Sequence, residues 1–341
     1  MFDTSKCDIC GDCLVACPYV DYSPAQATAE MDALIAGRPS KILSQCMTCM
    51  GCNEYCEKGA RPFDLISTRQ EAEHALTVPG ETLAFFEQIE QMPSQALPGT
   101  DKKKVLSLCA LAPVLSPATI AHPLFDGLTI VQGGDYFCHM AKLHLARPSV
   151  LETAGRKFIE NLLKLQADEI VFFHDECYAM VHKMIDDFGY ELPFKPIHLL
   201  EHINEYLRRH PEGFVRRHLK VAYQRPCSSR LGPDTEQLLD DFFALTGAER
   251  VDRKYDRKNA LCCGSALAGL GRMEAARDFQ ILNLRDAKEN GAQAIVYLCP
   301  MCGVSLAKAS HDFNLNCLSV MELIQTPRAS FFPVEIDQKT F

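Results

Sequence analysis

The sequence predicts an α-helical, cysteine-rich N-terminal domain followed by an α/β domain built from two similar halves. Eight of the 17 cysteines fall within residues 1–72. Farther along, short apolar runs that end near a cysteine alternate with amphipathic helical segments, which is the pattern of a largely parallel sheet. Two stretches of this second part share one layout, which indicates an internal duplication. We therefore divide the chain into a helical domain (1–72), a linker (73–102), a first repeat (103–218), and a second repeat with a C-terminal tail (219–341).

Length, charge and cysteine usage narrow the class of protein. A chain of 341 residues can bury a substantial core without the help of disulfides. The odd number of cysteines and an N-terminus without an apolar run favour a cytoplasmic location, where cysteine clusters usually bind metal. The net charge of -9 would repel phosphate backbones, so we expect no nucleic-acid partner. The longest apolar run, 105–125, contains three prolines, which predicts no membrane span but leaves room for peripheral docking on a membrane partner.

Two cysteine runs in the N-terminal part have the same spacing. The run "CDICGDCLVAC" and the run "CMTCMGCNEYC" both follow C-x2-C-x2-C-x3-C. Three thiolates at such intervals wrap one face of a [4Fe–4S] cubane, and the fourth is positioned to serve a neighbouring cluster. We therefore predict two cubanes, the first held by Cys7, Cys10, Cys13 and Cys56 and the second by Cys46, Cys49, Cys52 and Cys17. A pair of zinc sites is the alternative, although zinc sites normally take their ligands in pairs.

A helical spacer separates these two runs. The stretch "YSPAQATAEMDALIAG" offers Ser23 as an N-cap, Pro24 at the first helical position and Gly37 as a C-terminal stop. A long helix between the runs favours an all-helical ferredoxin module over the compact type, in which strands lie between the runs.

The repeat in the second part is visible in the spacing of its cysteines. Buried strands are predicted for "KVLSLCAL", "EIVFFHDEC", "KVAYQRPC" and "AIVYLCPMC", and amphipathic helices for 149–166 and 273–291. Cys138 precedes Cys177 by 39 residues, and Cys263 precedes Cys302 by the same 39 residues. The common spacing and the common order of helix and strand favour duplication over coincidence.

Five thiols of the second repeat arrive from separate strand ends: Cys227, Cys262, Cys263, Cys299 and Cys302. Ligand sites in open α/β sheets lie at the carboxyl ends of the strands, so these thiols can converge on one site. A structural zinc site made from the adjacent pair and the "CPMC" pair is the alternative. Adjacent ligands fit a tetrahedral ion badly, however, and Cys227 would be left over.

This pattern resembles the CCG (cysteine-rich domain) family of heterodisulfide reductases and related proteins, in which a cysteine, a CCG motif and a CPxC motif follow one another. Here these are Cys227, "CCG" at 262–264 and "CPMC" at 299–302. The whole chain resembles a fusion of the small two-cluster ferredoxin subunit with the catalytic CCG subunit. The resemblance implies two Rossmann-like CCG repeats and a noncubane [4Fe–4S] centre held by all five cysteines, with Gly264 letting the backbone bend close to it.

The first repeat departs from the family pattern. Phe137 stands where the second repeat has Cys262, and His174 stands where it has Cys299. His139 replaces the glycine of the CCG motif. Three ligands remain matched: Cys109, Cys138 and Cys177.

Three interpretations of this altered motif stay open. The first is a degenerate site with buried free thiols, since cysteine is readily buried as a small apolar residue. The second is a metal site in which His174 or His139 joins the three cysteines and which holds zinc or a modified iron–sulfur cluster. The third is a substrate or partner pocket in which His174, Asp175 or His139 handles protons.

We expect an iron–sulfur oxidoreductase subunit of the heterodisulfide reductase type, in which electrons pass through two cubanes to the five-cysteine centre. That centre would reduce or oxidise a disulfide or thiol substrate. The sequence has no flavin or nicotinamide motif, so other redox subunits, including a flavoprotein donor or acceptor, are expected partners. One alternative is a non-catalytic electron-transfer subunit of a larger flavin-dependent dehydrogenase or of a quinone- or ferredoxin-linked redox complex. Another is a zinc-bearing scaffold with a ferredoxin attached.

Overall fold

The computed structural model describes residues 1–214 and 216–325. The end of the predicted second repeat, 326–341, therefore lies outside the described residues. The α-helices are, in chain order, α1 (Asp12–Val15), α2 (Pro24–Ile35), α3 (Ile42–Gln45), α4 (Gly51–Tyr55), α5 (Pro62–Ala72), α6 (Gly80–Glu90), α7 (Pro117–Ile120), α8 (Val150–Leu163), α9 (Asp175–Phe188), α10 (Leu199–Arg209), α11 (Glu236–Thr246), α12 (Ser265–Gly269), α13 (Met273–Glu289), α14 (Pro300–Asp312) and α15 (Val320–Ile324). Within the described part of the chain, no helix combines the length and the apolar character needed to cross a bilayer.

The strands form two small sheets. They are β1 (Gln95–Leu97), β2 (Asp101–Ser107), β3 (Leu128–Gln132), β4 (Glu169–Phe172), β5 (Lys195–His198), β6 (Lys220–Gln224), β7 (Glu249–Arg250), β8 (Ala294–Tyr297) and β9 (Asn316–Ser319).

The two sheets have corresponding topologies. The first has the strand order β1-β3-β2-β4-β5, in which β1 is antiparallel to β3 and the other neighbours are parallel. The second has the order β7-β6-β8-β9, and all of its neighbours are parallel. Four strands of the first sheet therefore match the four of the second in order and direction, and an α/β architecture is confirmed.

The predicted elements of the second part are present. The four apolar runs contain β2, β4, β6 and β8, and the two amphipathic segments contain α8 and α13. The segment 73–102, expected as a linker, is more ordered than the sequence indicates. It contains α6, and its strand β1 pairs with β3 through the register Ala96 to Val131.

The N-terminal residues form a group of short helices around a small apolar core that includes Leu14, Leu34 and Ile66. Helix α2 begins as predicted, because the side chain of Ser23 accepts a hydrogen bond from the backbone N–H of Gln26. The Gln26 side chain accepts one in return from the Ser23 N–H at 2.9 Å. This capping box satisfies N–H groups that would otherwise lack partners at the helix start.

One apolar core joins the two sheets. Leu106 and Val171 of the first sheet belong to the same buried cluster as Val221 and Val296 of the second, together with Phe242 of α11. Burying each of these side chains contributes about 1.5–3 kcal/mol. Because the cluster is continuous, the loops at the carboxyl ends of the two sheets are held in a fixed relation to each other.

Each central strand leads into a loop or helix start that carries candidate ligands. Because the carboxyl ends of parallel strands meet at one edge of a sheet, these residues collect there. Strand β2 leads to Cys109, β4 to His174 and Cys177, β6 to Cys227, and β8 to Cys299 and Cys302.

Candidate metal centres

Both N-terminal cysteine runs bend their backbone in the same way. Ile9 and Gly11 of the first run have φ angles of 61° and 82°, and Thr48 and Met50, at the equivalent positions of the second, have 53° and 67°. Left-handed residues turn neighbouring amides toward one side and create a concave surface suited to a negatively charged group. At Gly11 a side chain is also excluded by space, because a Cβ atom would lie 2.6 Å from the backbone nitrogen of Thr28.

The first N-terminal thiol group surrounds Cys13. Burial, followed by the charges of Cys56, Cys10 and Cys7, raises the pKa of Cys13 to about 12. Such an effect requires thiols that lie nearby, and Cys7 and Cys56 pack against the same apolar cluster that contains Cys13. The backbone N–H of Ala60 donates to the sulfur of Cys56 at 3.4 Å, as amides around iron–sulfur clusters do.

The second N-terminal thiol group surrounds Cys52. Burial raises its pKa well above the ordinary value, and so do the charges of Cys46, Cys13, Cys49 and Cys17. The backbone N–H of Thr48 donates to the sulfur of Cys46 at 3.3 Å. Because Cys13 of the first group also acts on Cys52, the two thiol groups are neighbours.

The five cysteines singled out in the second repeat form a connected series of thiol contacts, which we call the five-cysteine group. Cys262 interacts with Cys227 and Cys263, and Cys302 interacts with Cys263 and Cys299. The contacts with Cys227 and Cys263 hold the pKa of Cys262 well below its ordinary value. Cys227 is half-buried and the other four are buried.

Two helices fix the loop that carries the adjacent cysteines. Gly264 has a φ of 90°, and a Cβ atom there would lie 3.0 Å from the side-chain nitrogen of Gln280. The same Gln280 nitrogen donates to the carbonyl oxygen of Cys263 at 2.9 Å, and the Ser305 hydroxyl donates to that oxygen at 2.8 Å. Helices α13 and α14 thus determine the backbone direction through the CCG motif.

A second candidate site lies at the first sheet, and we call it the Cys3His group. It comprises four buried residues, Cys109, Cys138, His174 and Cys177, whose ligand atoms all lie within 4.8 Å of one another. Three thiolates and an imidazole are a donor set that structural zinc sites use. Of the two histidines considered from the sequence, His174 belongs to this group. The Nδ1 atom of His139 lies instead 3.7 Å from a carboxylate oxygen of Glu90.

His174 lies between the Cys3His group and the five-cysteine group. Its Nε2 atom is 3.6 Å from the sulfur of Cys299 and 3.9 Å from a carboxylate oxygen of Glu176. Its buried Nδ1 atom has no hydrogen-bond partner among the described residues. Burial opposes protonation of the ring, but Glu176, Cys109, Cys138 and Cys299 raise the pKa of His174 above its ordinary value.

Aromatic packing occupies the position of the missing thiol in the first repeat. Phe137, which stands where Cys262 stands in the second repeat, is buried, and its ring centre is 4.5 Å from that of His139 and 6.2 Å from that of Phe86 in α6. A cavity of ≈ 430 Å³ opens beside Phe137, His139 and Lys157. A pocket at the altered motif therefore exists alongside the Cys3His group.

The carboxylate of Asp175 is engaged in contacts that join the two sheet regions. One oxygen lies 3.0 Å from Nε2 of His198, and the other accepts a hydrogen bond from the Ser228 hydroxyl at 2.6 Å. Burial raises the pKa of Asp175, but the contacts with His198 and Ser228 outweigh it and lower the pKa. Asp175 thus has a structural role in linking α9 to the turn that follows β6.

Arg230 joins the N-terminal segment to the five-cysteine group. Its side chain is 1% exposed, and it donates to the carbonyl oxygen of Cys49 at 3.1 Å and to the carboxylate of Glu54 at 2.9 Å. It also donates to the Ala260 carbonyl oxygen at 2.9 Å. Burial alone would lower its pKa, but Cys49, Cys227 and Glu54 raise it above the ordinary value.

Two further contacts join the N-terminal segment to the α/β part, one at each sheet region. The backbone N–H of Cys262 donates to the hydroxyl oxygen of Tyr19 at 2.7 Å, and the Thr48 hydroxyl lies 3.2 Å from Nδ1 of His144. Sequence reasoning missed Tyr19, His144, Glu54 and Arg230, because each meets partners that are distant along the chain. The position of Tyr19, two residues after Cys17, is the one signal that could have drawn attention to it.

Three solved structures are weakly similar to this chain. A hypothetical protein from Helicobacter pylori has 13% identity and a TM-score of 0.49, and the match covers 79% of this chain and 58% of that one, so this chain spans little more than half of its length. A glutamate racemase isoform from Bacillus anthracis has 12% identity and a TM-score of 0.36, with 65% of this chain and 77% of that chain covered. An aspartate racemase homologue from Pyrococcus horikoshii has 15% identity and a TM-score of 0.30, with 65% and 95% covered. Likenesses of this size do not bear on fold or function.

Comparison with protein families gives a direct match to one half of the α/β part. Residues 221–307 match the family described as CCG, cysteine-rich domain. The matched segment begins in β6, ends within α14 and contains all members of the five-cysteine group. Together with the Cys3His group, this match indicates iron–sulfur or metal binding and a redox role. Over the segment from residue 221 to residue 307, this chain is thus similar to the CCG cysteine-rich domain family.

Proposed function

We propose that this protein is an iron–sulfur oxidoreductase subunit of the heterodisulfide reductase type. In this proposal the N-terminal helices are a ferredoxin module with two cubane clusters, and the two sheet regions are Rossmann-like CCG repeats. The five-cysteine group would bind a noncubane [4Fe–4S] cluster and act on a disulfide or thiol. The observation that supports this proposal most directly is the position of Arg230. Its side chain donates a hydrogen bond to the Cys49 carbonyl of the N-terminal segment and interacts with Cys227 of the five-cysteine group.

The residues of the N-terminal thiol groups fit cubane clusters. All eight donors are thiols, two of which already accept hydrogen bonds from backbone amides at Thr48 and Ala60. The left-handed turns at equivalent positions of the two runs direct further amides toward the same space. Cys7, Cys10, Cys13 and Cys56 would hold one cluster, and Cys46, Cys49, Cys52 and Cys17 the other. When bound, iron–sulfur clusters accept and release single electrons.

The chain itself keeps the second N-terminal thiol group next to the five-cysteine group. Arg230 is buried, and Glu54 accepts hydrogen bonds from it and, at 2.7 Å, from Arg225. These two arginines flank Cys227 in sequence. The Tyr19 hydroxyl adds a hydrogen bond from the N–H of Cys262. Such contacts support electron exchange between the two groups, because they fix the separation and exclude water.

A substrate would approach from the side of Cys227, the one half-buried member of the five-cysteine group. A cavity of ≈ 610 Å³ lies on this side and is lined by Arg225, Ser229 and Arg230, together with charged residues of the loop 252–259. Polar and charged walls suit a small thiol or disulfide that carries charged groups. Electrons would come from, or go to, a flavoprotein or another redox subunit.

A second candidate function is a non-catalytic electron-transfer subunit of a larger redox complex. The observation that favours it is enclosure, since Cys262, Cys263 and Cys302 are only 2%, 4% and 4% exposed. Neither of the two cavities described above is lined by a member of the five-cysteine group. A centre that only relays electrons needs no opening for a substrate.

The first experiment compares the wild-type protein with Cys263→Ala and with Cys317→Ala after anaerobic purification. Cys317 on β9 is a matched control, because it is half-buried in the same sheet and belongs to none of the thiol groups. We expect about twelve irons per chain in the wild type and the control, and about eight in Cys263→Ala, with an unusual EPR signal lost. Turnover of a disulfide with an artificial electron donor then separates the two functions, because a relay subunit binds the same irons but reduces nothing alone. About eight irons in all three proteins would contradict both.

A further inference from the structure

Tyr19 connects the second N-terminal thiol group to the five-cysteine group. It follows Cys17 in the chain, with only Pro18 between them. Its hydroxyl oxygen accepts a hydrogen bond from the backbone N–H of Cys262 at 2.7 Å. Cys17 is an expected ligand of the one group, and Cys262 is an expected ligand of the other. Covalent bonds and a single hydrogen bond therefore lead from one group to the other.

The ring of Tyr19 is held by both parts of the chain. It packs against an apolar cluster that includes Met47 of the N-terminal segment and Leu267 of α12. Its centre lies 4.6 Å from that of Phe279 in α13, at an interplanar angle of 80°, which is the edge-to-face arrangement that aromatic pairs favour. Because both parts contribute to this packing, the position of the hydroxyl is fixed relative to Cys262.

The hydroxyl of Tyr19 lies near thiols of both groups. Burial raises the pKa of Tyr19, and the charges of Cys49 and Cys262 raise it further. A phenol hydroxyl can accept one hydrogen bond and donate another. It accepts from Cys262, so its own proton is available to a ligand sulfur. Hydrogen bonds to ligand sulfurs help to set the reduction potential of a cluster, and a test of Tyr19 must therefore measure potentials as well as rates.

The other connection between these groups is longer. Arg230 donates to the carbonyl oxygen of Cys49, but two serines separate Arg230 from Cys227 in the chain. Electronic coupling falls with each bond that is added to a path. The route through Tyr19 ends directly on Cys262, so it couples the two groups more strongly than the route through Arg230.

We propose that Tyr19 is the bridging residue through which the second N-terminal thiol group and the five-cysteine group exchange electrons, along Cys17, Tyr19 and Cys262. This inference rests on the proposed function. In each transfer one centre loses a single electron and the other gains it, while Tyr19 is neither oxidised nor reduced and keeps its proton. Tyr19 is thus a positioning residue, which acts by holding Cys262 in electronic contact with the other group.

The test uses the full chain with its irons, purified anaerobically, and compares the wild type with Tyr19→Phe. The variant keeps the ring and its packing but loses the hydrogen bond to Cys262. A light flash with a photoreductant delivers single electrons, and freeze-quench EPR follows their arrival at the five-cysteine centre. We expect this rate to fall severalfold in Tyr19→Phe, whereas about twelve irons per chain remain. Amide hydrogen exchange at Cys262 should accelerate, because its N–H has lost its partner.

Tyr22→Phe is the matched control, since the hydroxyl of Tyr22 donates to the side chain of Gln45 within the N-terminal segment. It should change neither the transfer rate nor the hydrogen exchange at Cys262. EPR-monitored titrations of all three proteins give the midpoint potentials of both centres and so show any change in driving force. The rate comes only from molecules that hold both centres, so a partial loss of iron does not alter it.

The outcomes separate the bridging role from the proposed function. An unchanged transfer rate in Tyr19→Phe, or unchanged hydrogen exchange at Cys262, would overturn the bridging role. So would a slower transfer that a shift of the midpoint potentials explains in full, or an equal slowing in Tyr22→Phe. With about twelve irons in the wild type, each of these results removes only the bridge. If the wild type holds only about eight irons, the five-cysteine group binds no cluster, and the proposed function fails together with the bridge.

Discussion

The Cys3His group and the five-cysteine group occupy equivalent points of two sheets with the same strand order. Both lie where strands end, and both take a ligand from the N-cap of a helix, His174 in α9 and Cys299 in α14. They differ at three loop positions, where Phe137, His174 and His139 correspond to Cys262, Cys299 and Gly264. The two sheets keep the same strand order despite these differences, so one fold accommodates two different sets of side chains at this position.

The N-terminal segment also contacts the two regions differently. It meets the second region through Arg230, which is buried and bonded to Cys49 and Glu54. It meets the first region through Arg61, which is bonded to the buried carboxylate of Asp187 in α9. The Arg230 side chain, which lies beside the proposed electron path, is 1% exposed, whereas the Arg61 side chain is 29% exposed.

The largest expected effect comes from Arg230→Ala. Removing the guanidinium leaves the carbonyl oxygens of Cys49 and Ala260 without this buried donor, whereas Glu54 keeps its bond to Arg225. Because each unpaired buried polar group costs about 1–3 kcal/mol, the free energy of unfolding should fall by about 3–5 kcal/mol. Denaturant unfolding checks this value. Arg230→Lys is the control, because it keeps the charge but loses the fork of donors. A loss under about 1 kcal/mol in Arg230→Ala would mean that this contact does not hold the segment in place.

The double variant Phe137→Cys/His174→Cys tests whether side chains alone distinguish the two sites. It gives the first region thiols at all five positions that correspond to the five-cysteine group, so we expect about four additional irons per chain. Loss of the Phe137 ring from its buried position should cost about 2–4 kcal/mol of stability.

Phe137→Leu with native His174 is the packing control for that experiment, since it shortens the side chain without adding a thiol. It should leave the iron content at the wild-type value. If the double variant binds no additional iron, backbone differences between the regions, and not these two side chains, determine the ligand choice.

A smaller effect is expected from Asp187→Asn, which weakens the contact with the first region. Burial raises the pKa of Asp187, but the hydrogen bond with Arg61 and the charge of Lys183 outweigh it and hold the pKa well below its usual range. The carboxylate therefore stabilises the fold above about pH 4, and this contribution is lost as the pH falls further. We expect a loss of about 1.5–3 kcal/mol near neutral pH.

Unfolding of the wild type and Asp187→Asn, measured at about pH 7 and about pH 3, checks this prediction. The difference between the two proteins should begin to shrink at about pH 3, because the unfolded chain then takes up a proton on this carboxyl while the folded protein keeps it ionised. A difference that stays constant across this range would contradict the ion-pair explanation.

The smallest effects concern the glycine position of the two loops. Gly264 and His139 both have positive φ angles, 90° and 60°. Gly264→Ala should destabilise the second region by roughly 1–2 kcal/mol, because a side chain is strained in this conformation. His139→Gly should relieve similar strain in the first region but lose the contact with Phe137, so its net effect should be within about 0.5 kcal/mol. Thermal unfolding of the two variants measures this contrast. Equal losses of stability in both variants would contradict it.

The sequence predicted the local features well. The runs around β2, β4, β6 and β8 were found, because their apolar residues are contiguous and bounded by turn residues. The start of α2 at Ser23 was found from its cap. The Cys3His group was one of three interpretations, and the choice between His174 and His139 needed coordinates, since both lie next to a predicted ligand in the chain.

What the sequence did not predict depends on contacts between distant segments. Arg230 looks like one of many surface arginines until its carbonyl partners on Cys49 and Ala260 are known. The segment at 73–102 has the composition of a linker, but β1 pairs with β3 and Glu90 of α6 binds Lys142 at 2.7 Å. Tertiary packing overrides local composition in such places.

The hydrogen bond from Cys262 to Tyr19 spans 243 residues, and this separation has a consequence for biosynthesis. Chains are made from the N-terminus, so the eight N-terminal cysteines leave the ribosome well before the loop that covers one of their groups exists. Contacts of such long range also form late in folding, because closing a large loop costs entropy before the contact stabilises anything. The thiols of the nascent N-terminal segment are therefore exposed to oxidation until the covering loop has been synthesised and has folded. The order in which segments are made and folded thus matters to this protein as well as its final contacts.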